Sequence, residues 1–146
     1  MRLIRKIIVH CTATEDCKDI KAKDIKEYHV NVKGWRNIGY HYVVDLDGTI
    51  ESGRPISQPG AHCHGQNAHS IGIAYVGGLK NGQPCDTRTA AQKAAMLKLI
   101  TKLVTVYRCE VYGHREFAKK DCPCFDAREE YGKIKAQLQK KWAENH

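Results

Sequence analysis

The sequence predicts an α/β fold: a single domain over residues 1–146, with a mixed central β-sheet flanked by about three α-helices. β-prone apolar runs alternate along the chain with amphipathic helical patterns, which is typical of a sheet covered by helices. The dipeptide Asp47-Gly48 separates two β-prone runs, so one pair of strands must form an antiparallel hairpin. With 146 residues, 42% of them hydrophobic, the chain is long enough for one hydrophobic core.

The first half of the chain predicts two strand regions, one helix and a long loop. Residues 3–9 are apolar and branched, as expected for a buried strand. Residues 22–32 predict a helix that ends before Gly34. Residues 42–50 predict the hairpin. Residues 54–70, with two prolines and three histidines, predict a long surface loop, and loops of this length often contribute to function. One face of the predicted helix carries Ile25, Tyr28, His29 and Val32.

The second half predicts two more strands and two helices. Residues 71–76 predict a strand, and Asn81-Gly82 predicts a turn. Thr89 and Gln92 form a capping-box pattern that opens a long helix. Residues 109–112 predict a short strand, and Asp126 can cap a last helix. The apolar stripe of the long helix is predicted at Ala90, Ala94, Leu97, Ile100, Val104 and Tyr107, and that of the last helix at Tyr131, Ile134, Leu138 and Trp142.

The charge of the chain favours an acidic partner. The net charge is +8, which suits nucleic acid, an anionic membrane or the bacterial cell wall. No helix-turn-helix, zinc-finger pair or aromatic-basic RNA motif is recognisable, so nucleic acid is not expected. No apolar run approaches the roughly 20 residues needed to cross a bilayer. Charges interrupt the apolar start of the chain, so we expect no signal peptide, no membrane insertion and synthesis in the cytoplasm.

The cysteine count excludes a fully paired disulfide framework, because seven is an odd number. Four cysteines have no recognisable metal spacing and are expected to pack as small hydrophobic side chains. These four are Cys11, Cys17, Cys63 and Cys109. The segment Cys122-Pro123-Cys124 leaves open a redox or two-thiol metal site.

Three residues form a possible metal site. His10 and His114 each stand where a predicted strand ends, and Cys122 follows His114 by eight residues. Two imidazoles and one thiolate suit Zn²⁺, and three protein ligands leave a fourth position for water. A single histidine after a strand is more often a hydrogen-bonded structural residue, and a cysteine beside proline is usually structural. The pattern alone therefore leaves the site a hypothesis.

Five segments in a fixed order carry a family resemblance. They are Ile8 to Thr14, Gly34 to Tyr42, Asp47 to Arg54, Gly60-Ala61-His62 through Asn67 to Ile73, and Gly113-His114-Arg115-Glu116 through Lys120 to Cys122-Pro123. In these segments the chain resembles the zinc-dependent N-acetylmuramoyl-L-alanine amidases of the phage T7 lysozyme type. The first of these motifs, Ile8 to Thr14, is similar also to that of their animal relatives, the peptidoglycan recognition proteins. The resemblance covers most of residues 3–126.

The resemblance implies one Zn²⁺ per chain, held by His10, His114 and Cys122. It implies catalytic roles for Tyr40 and Lys120, which without it would be interpreted as a core aromatic and a surface lysine. The implied reaction is hydrolysis of the amide between N-acetylmuramic acid and L-alanine, in peptidoglycan or in its muropeptide fragments. A cysteine as third ligand is similar to the phage and recognition-protein branch, whereas relatives in cytosolic wall recycling carry aspartate.

Several expectations are less specific. The substrate groove is expected to include Trp35, Arg36, His62, His64 and Asn67. His62, His64 and His69 leave open a second metal site, and Glu116 is expected to orient backbone or a ligand imidazole. The rival functions are a peptidoglycan-binding recognition module without catalysis and a regulator that binds nucleic acid or a polymerase. We expect a monomer that reaches the wall after lysis, holin release or export, or that acts on cytosolic wall fragments.

Overall fold

The computed structural model describes residues 2–145. The strands within this range are β1 (Lys6–Cys11), β2 (Thr14–Glu15), β3 (Tyr42–Val44), β4 (Ile50–Ser52), β5 (Ser70–Tyr75), β6 (Gly78–Lys80), β7 (Gln83–Pro84) and β8 (Glu110–Gly113). The helices are α1 (Ala22–Asn31), α2 (Ala90–Tyr107), α3 (Ala127–Tyr131) and α4 (Ile134–Asn145). No helix in this part of the chain has both the length and the apolar character that a membrane crossing requires.

The main sheet has five strands in the order β4-β3-β5-β1-β8. Strands β3, β5, β1 and β8 run parallel to one another. Strand β4 is antiparallel to β3 and is joined to it by the turn at Asp47-Gly48. The predicted mixed sheet and the predicted hairpin are therefore confirmed. Strand β1 begins three residues later than predicted and extends through His10 to Cys11.

A second, smaller sheet was not predicted. Its order is β2-β6-β7, and the turn between β6 and β7 is the predicted one at Asn81-Gly82, where both residues have positive φ. The three strands have only two or three residues each. Such short segments show no periodicity that a sequence pattern could reveal.

The two faces of the main sheet differ in side-chain size. Along β5, Ile71 and Ile73 point into the larger hydrophobic core, which also contains the buried residues of α2, α3 and α4. The alternate residues of β5 are small: Ser70, Gly72 and Ala74. Small residues leave space above the opposite face, where α1 and the loop of residues 53–66 pack. That space receives the histidines of the candidate site.

The boundaries of α1 agree with the prediction, but its buried face is narrower than predicted. Ile25 and His29 are buried, whereas Tyr28 and Val32 are 52% and 68% exposed. Ile25 packs with Val43 of the sheet. The exposed side of Tyr28 faces the open cleft described below.

Helix α2 begins with the predicted capping box. Its predicted stripe is right at Ile100 and Val104, which are buried, but wrong at Ala90, Ala94 and Leu97, which are exposed. The Thr89 hydroxyl accepts a hydrogen bond from the Gln92 amide at 3.0 Å, and the Gln92 side-chain oxygen accepts one from the Thr89 amide at 2.9 Å. The Gln92 side chain also donates to the carbonyls of Val44 and Val76 in the sheet. These bonds turn position 92 inward and leave Leu97 52% exposed. The buried residues of α2 are Gln92, Met96, Leu99, Ile100, Leu103 and Val104.

The predicted last helix is two helices. The Asp126 carboxylate caps α3, as expected, by accepting a hydrogen bond from the Glu129 amide at 3.0 Å. The chain then breaks at residues 132–133, because glycine at position 132 is a weak helix former. The break allows both Tyr131 and Ile134 to reach the larger core.

The cysteines are free thiols, and most follow the expectation. Cys11, Cys63 and Cys109 are buried. Cys17 is exposed, so the prediction that it packs as a core residue is wrong. It lies in the turn after β2, outside both hydrophobic clusters.

Candidate metal centre and active site

Sheet register brings His10 and His114 together. In the parallel pair β1–β8, Val9 lies opposite Gly113. The residue that follows each of them in the sequence is a histidine: His10 after Val9 and His114 after Gly113. The Nδ1 atoms of His10 and His114 are 3.1 Å apart, and the ring centroids are 4.4 Å apart. Two histidines 104 residues apart in sequence thus become neighbours at one edge of the sheet.

A closed loop returns Cys122 to these two histidines. The Arg115 amide donates to the Cys122 carbonyl at 2.8 Å, which joins the two ends of the loop. The Cys122 sulfur accepts a hydrogen bond from the Cys11 amide at 3.1 Å. Within this loop, the Glu116 carboxylate accepts a hydrogen bond from the Gly113 amide at 2.8 Å, so Glu116 orients backbone, one of its two expected roles.

The donor set of these three residues fits zinc. One ligand atom from each of His10, His114 and Cys122 lies within 4.8 Å of the other two. In a tetrahedral site with Zn–N bonds of ~2.0–2.1 Å, two nitrogens are about 3.4 Å apart, close to the spacing seen here. Burial, followed by the neighbouring histidines and Lys120, holds the pKa of His10 well below its usual range. Burial and Lys120 also lower the pKa of His114. Neutral imidazoles are the form that binds a metal.

A cleft of about 520 Å³ opens over this centre. Its wall combines the metal-site residues with the turn after β1, one side of α1 and the loop before Cys122. The lining residues are Cys11, Thr12, Ala13, Thr14, Ile20, Asp24, Ile25, Tyr28, His29, Lys33, Tyr40, His114, Lys120 and Cys122.

Tyr40 and Lys120 line the same cleft as the metal donors. The Tyr40 ring lies 5.2 Å from the His10 ring, centroid to centroid. Burial, and then the nearby sulfurs of Cys122 and Cys11, raise the pKa of Tyr40, so its hydroxyl stays protonated and can donate a hydrogen bond. Lys120 is exposed on the loop, and its positive charge contributes to the low pKa values of His10 and His114.

His29 is a cleft residue that sequence reasoning did not assign to the site. Its Nδ1 accepts a hydrogen bond from the Gly39 amide at 2.9 Å, which leaves the proton on Nε2. Its ring lies between those of Trp35 and Tyr40, at 4.6 and 5.6 Å. Burial, followed by the charges of Lys33 and Arg54, lowers its pKa to about 4. A polar residue in the buried stripe of α1 was the signal that could have identified it.

Comparison with known proteins shows the family of this chain. Residues 1–125 match the N-acetylmuramoyl-L-alanine amidase family. The chain belongs to that family. It is 37% identical to the endolysin of Klebsiella phage KP32 over 123 residues, which are 83% of this chain and 81% of the phage protein.

Solved structures similar to this chain include both an amidase and a peptidoglycan recognition protein. The N-acetylmuramoyl-L-alanine amidase LysC from Clostridium intestinale superposes with a TM-score of 0.76 at 29% identity, over 93% of this chain and 85% of that one. A chain of the ectodomain complex of peptidoglycan recognition proteins LCa and LCx, solved with bound tracheal cytotoxin, superposes with a TM-score of 0.70 at 27% identity. That match covers 84% of this chain and 77% of the other.

Two residues of this amidase-family chain that were expected in the substrate groove have other places. His62 is buried beneath His10, and its Nδ1 lies 2.9 Å from Nε2 of His10. The side-chain oxygen of Asn67 accepts hydrogen bonds from the amides of His62 and Cys63, both at 3.0 Å. His62 therefore contacts His10, the side-chain oxygen of Asn67 binds the loop backbone, and neither residue lines the cleft. A contact of either residue with substrate stays a prediction.

The other three groove candidates lie outside the residues that line the cleft. Trp35 is half-buried behind His29, while Arg36 and His64 are exposed. A contact of these three with a long substrate remains a prediction.

The two alternative metal sites find no support within residues 2–145. Of the three loop histidines, His62 is buried, His64 is exposed and His69 bonds to the Leu3 carbonyl at 3.0 Å. The Cys124 thiol points to the Gly78 carbonyl at 3.4 Å and is not part of the donor set.

Proposed function

We propose that this protein is a zinc-dependent amidase that hydrolyses the bond between N-acetylmuramic acid and L-alanine in bacterial peptidoglycan. The observation that carries the proposal is the convergence of His10, His114 and Cys122 at a cleft that also contains Tyr40 and Lys120. Family membership supports the reaction type. The relative from phage KP32 is an endolysin, which supports the cell wall as the place of action.

The residues of the chain divide the work of amide hydrolysis. His10, His114 and Cys122 would hold Zn²⁺, which when bound lowers the pKa of water and polarises a carbonyl group. The protonated Tyr40 hydroxyl can orient the attacking water by a hydrogen bond. The Lys120 ammonium can stabilise the negative charge that develops on the substrate oxygen, a contribution of ~2.7–4 kcal/mol at a well-placed donor.

The cleft suits a sugar–peptide segment. Its volume of about 520 Å³ is in the ordinary range for binding sites of organic ligands. Lys33 and Lys120 bring two positive charges to its wall, and stem peptides of peptidoglycan carry carboxylates. The net charge of +8 favours an anionic wall in the same way. Because one copy of the chain supplies all these residues, a monomer is sufficient for the proposed reaction.

A recognition module without catalysis is the second candidate. The similarity to a recognition-protein complex with bound tracheal cytotoxin favours it. The three metal donors together with Tyr40 and Lys120 favour hydrolysis. Binding alone requires neither a set of zinc ligands nor a tyrosine hydroxyl and a lysine beside them.

The test is to identify which bond is cut. Purified peptidoglycan is incubated with the protein, and new L-alanine amino termini and new reducing sugar ends are counted separately. We expect amino termini without reducing ends, loss of the activity with a chelator and its return with zinc. Reducing ends would indicate a glycosidase and contradict the proposal. Binding without either product, across several wall types, would establish the recognition module instead.

A further inference from the structure

A line of hydrogen bonds extends from the metal donors into the protein, away from the cleft. His10 uses Nδ1 towards His114 and Cys122, and its Nε2 lies 2.9 Å from Nδ1 of His62. The other ring nitrogen of His62 lies 3.2 Å from the Ser70 hydroxyl. Both contacts are buried.

The direction of these hydrogen bonds follows from metal binding. His10 can donate a lone pair from Nδ1 only if its single proton is on Nε2. Nε2–H of His10 then donates to Nδ1 of His62, which must be unprotonated. His62 therefore carries its own proton on Nε2, and this N–H donates a hydrogen bond to the Ser70 hydroxyl. One choice of metal-binding atom thus fixes the tautomers of two histidines.

The fold holds the His62 ring at this place from two sides. Asn67 accepts hydrogen bonds from the backbone amides of His62 and Cys63, which fixes the loop. Below the ring lies Gly72 of β5, where an added Cβ would come within 2.5 Å of Cγ of His62. Any larger side chain at position 72 would push the ring away, so the packing is specific for a glycine there.

We propose that His62, backed by Ser70, is a positioning residue for the metal ligand His10 rather than a residue that touches substrate. The inference rests on the proposed zinc site. A hydrogen bond to the outer nitrogen of a ligand histidine fixes its tautomer and its ring orientation, and the loss of such a bond commonly weakens metal affinity about 10–100-fold. His62 provides it as a neutral acceptor. Unlike a carboxylate, it adds no negative charge to a donor set that already contains a cysteine.

The experiment measures zinc affinity by competition with a chromogenic chelator, without reference to activity. His62→Leu removes the acceptor, and His62→Asn keeps an acceptor oxygen near the position of Nδ1. His64→Leu is the matched control, because His64 is exposed in the same loop. We expect about 10–100-fold weaker zinc binding for His62→Leu, recovery of most of the affinity in His62→Asn, and no change for His64→Leu.

Equal weakening in His62→Leu and His62→Asn would assign the effect to packing and overturn the proposal. So would unchanged affinity in His62→Leu. If His62→Leu fails to fold, Ser70→Ala replaces it in the test, because it removes the hydroxyl that accepts from Nε2 of His62. We expect Ser70→Ala to weaken zinc binding severalfold. Unchanged zinc affinity in that variant would contradict the proposal. If the wild-type protein binds no zinc, the proposed function itself fails, which is a distinguishable result.

A spectroscopic measurement on the unmodified protein gives an independent answer. In zinc-loaded protein with ¹⁵N-labelled histidine, long-range couplings in the NMR spectrum identify which ring nitrogen carries the proton. We expect Nε2–H for both His10 and His62. A His62 ring protonated on Nδ1 could not accept from His10 and would overturn the assignment.

Discussion

At the scale of single residues, Tyr40 lines the cleft beside His10, and its hydroxyl stays protonated. Tyr40→Phe removes only that hydroxyl, so we expect zinc content and stability to be unchanged while kcat/KM falls by about 100-fold or more. The measurement is release of L-alanine amino termini. Tyr28→Phe is the control, because Tyr28 lines the same cleft away from the donor set and should keep near-normal turnover. Near-normal turnover in Tyr40→Phe would remove Tyr40 from the mechanism.

Lys120 offers a sharper comparison because its neighbour Lys119 is an exposed lysine on the same loop. Lys120→Ala should lower kcat by about 100- to 1000-fold, the loss expected when a charge-stabilising donor is removed from a transition state. Lys119→Ala should leave kcat unchanged. Equal effects of the two substitutions would mean that Lys120 acts through the general positive potential of the surface and not on the reacting group.

The sequence and the structure agree at residues whose partners are set by sheet register. His10 and His114 were predictable as neighbours because both follow β-prone runs, and parallel strands end at the same edge. His62 was not predictable in its observed place. Only the three-dimensional packing over Gly72 decides whether a loop histidine faces solvent or the back of a ligand.

At the scale of secondary-structure elements, Gln92 connects α2 to two strands of the main sheet. It is fully buried, and its amide donates to the carbonyls of Val44 and Val76. Gln92→Leu would leave these carbonyls with fewer partners in an apolar region and should lower the free energy of unfolding by about 2–3 kcal/mol. Urea unfolding measures it. Lys93→Leu, an exposed change on the same helix, is the control and should have little effect; a loss no larger than that of the control would contradict the anchoring role.

The elements that the sequence predicted correctly have strong local signals. The capping box at Thr89, the Asp47-Gly48 turn and the branched run of β1 each depend on neighbouring residues. The first half of the α2 stripe was misplaced because a polar residue, Gln92, points inward and forms hydrogen bonds there. The small sheet of β2, β6 and β7 could not be predicted, since its pairing depends on tertiary contacts between very short segments.

At the scale of the whole molecule, buried histidines make the stability of the metal-free protein depend on pH. His29 and His41 are buried, and burial lowers the pKa of each to about 4. A histidine held neutral in the fold contributes stability above its unfolded pKa of about 6.5, and this stability is lost as the pH falls towards 4. Positive charges add to the effect: Lys33 and Arg54 at His29, and Arg2 and Arg54 at His41.

We therefore expect the free energy of unfolding of the metal-free protein to fall between pH 6.5 and pH 4.5 by on the order of 2–4 kcal/mol. Asp45 opposes part of this change, because burial and Glu51 raise its pKa to about 6 and its protonation favours the fold. Asp45→Asn should thus steepen the decline. Urea unfolding at a series of pH values measures both proteins. Constant or rising stability towards pH 4.5 would contradict the neutral, buried state of the histidines.

The C-terminal helices belong to the same hydrophobic core as the main sheet, although the family match ends at residue 125. Tyr131 and Ile134 are buried with Ile7 and Val111 of the sheet. That residues 1–146 form one domain stays a prediction.

The most direct measurement for the central claim is a zinc titration of the metal-free protein with L-alanine release as the readout. The site formed by His10, His114 and Cys122 predicts no activity without metal, a rise in proportion to added zinc and saturation at one zinc per chain. Cys122→Ser should bind zinc more weakly and shift the curve. Full amide cleavage by the metal-free protein, or saturation at a different ratio, would contradict the account.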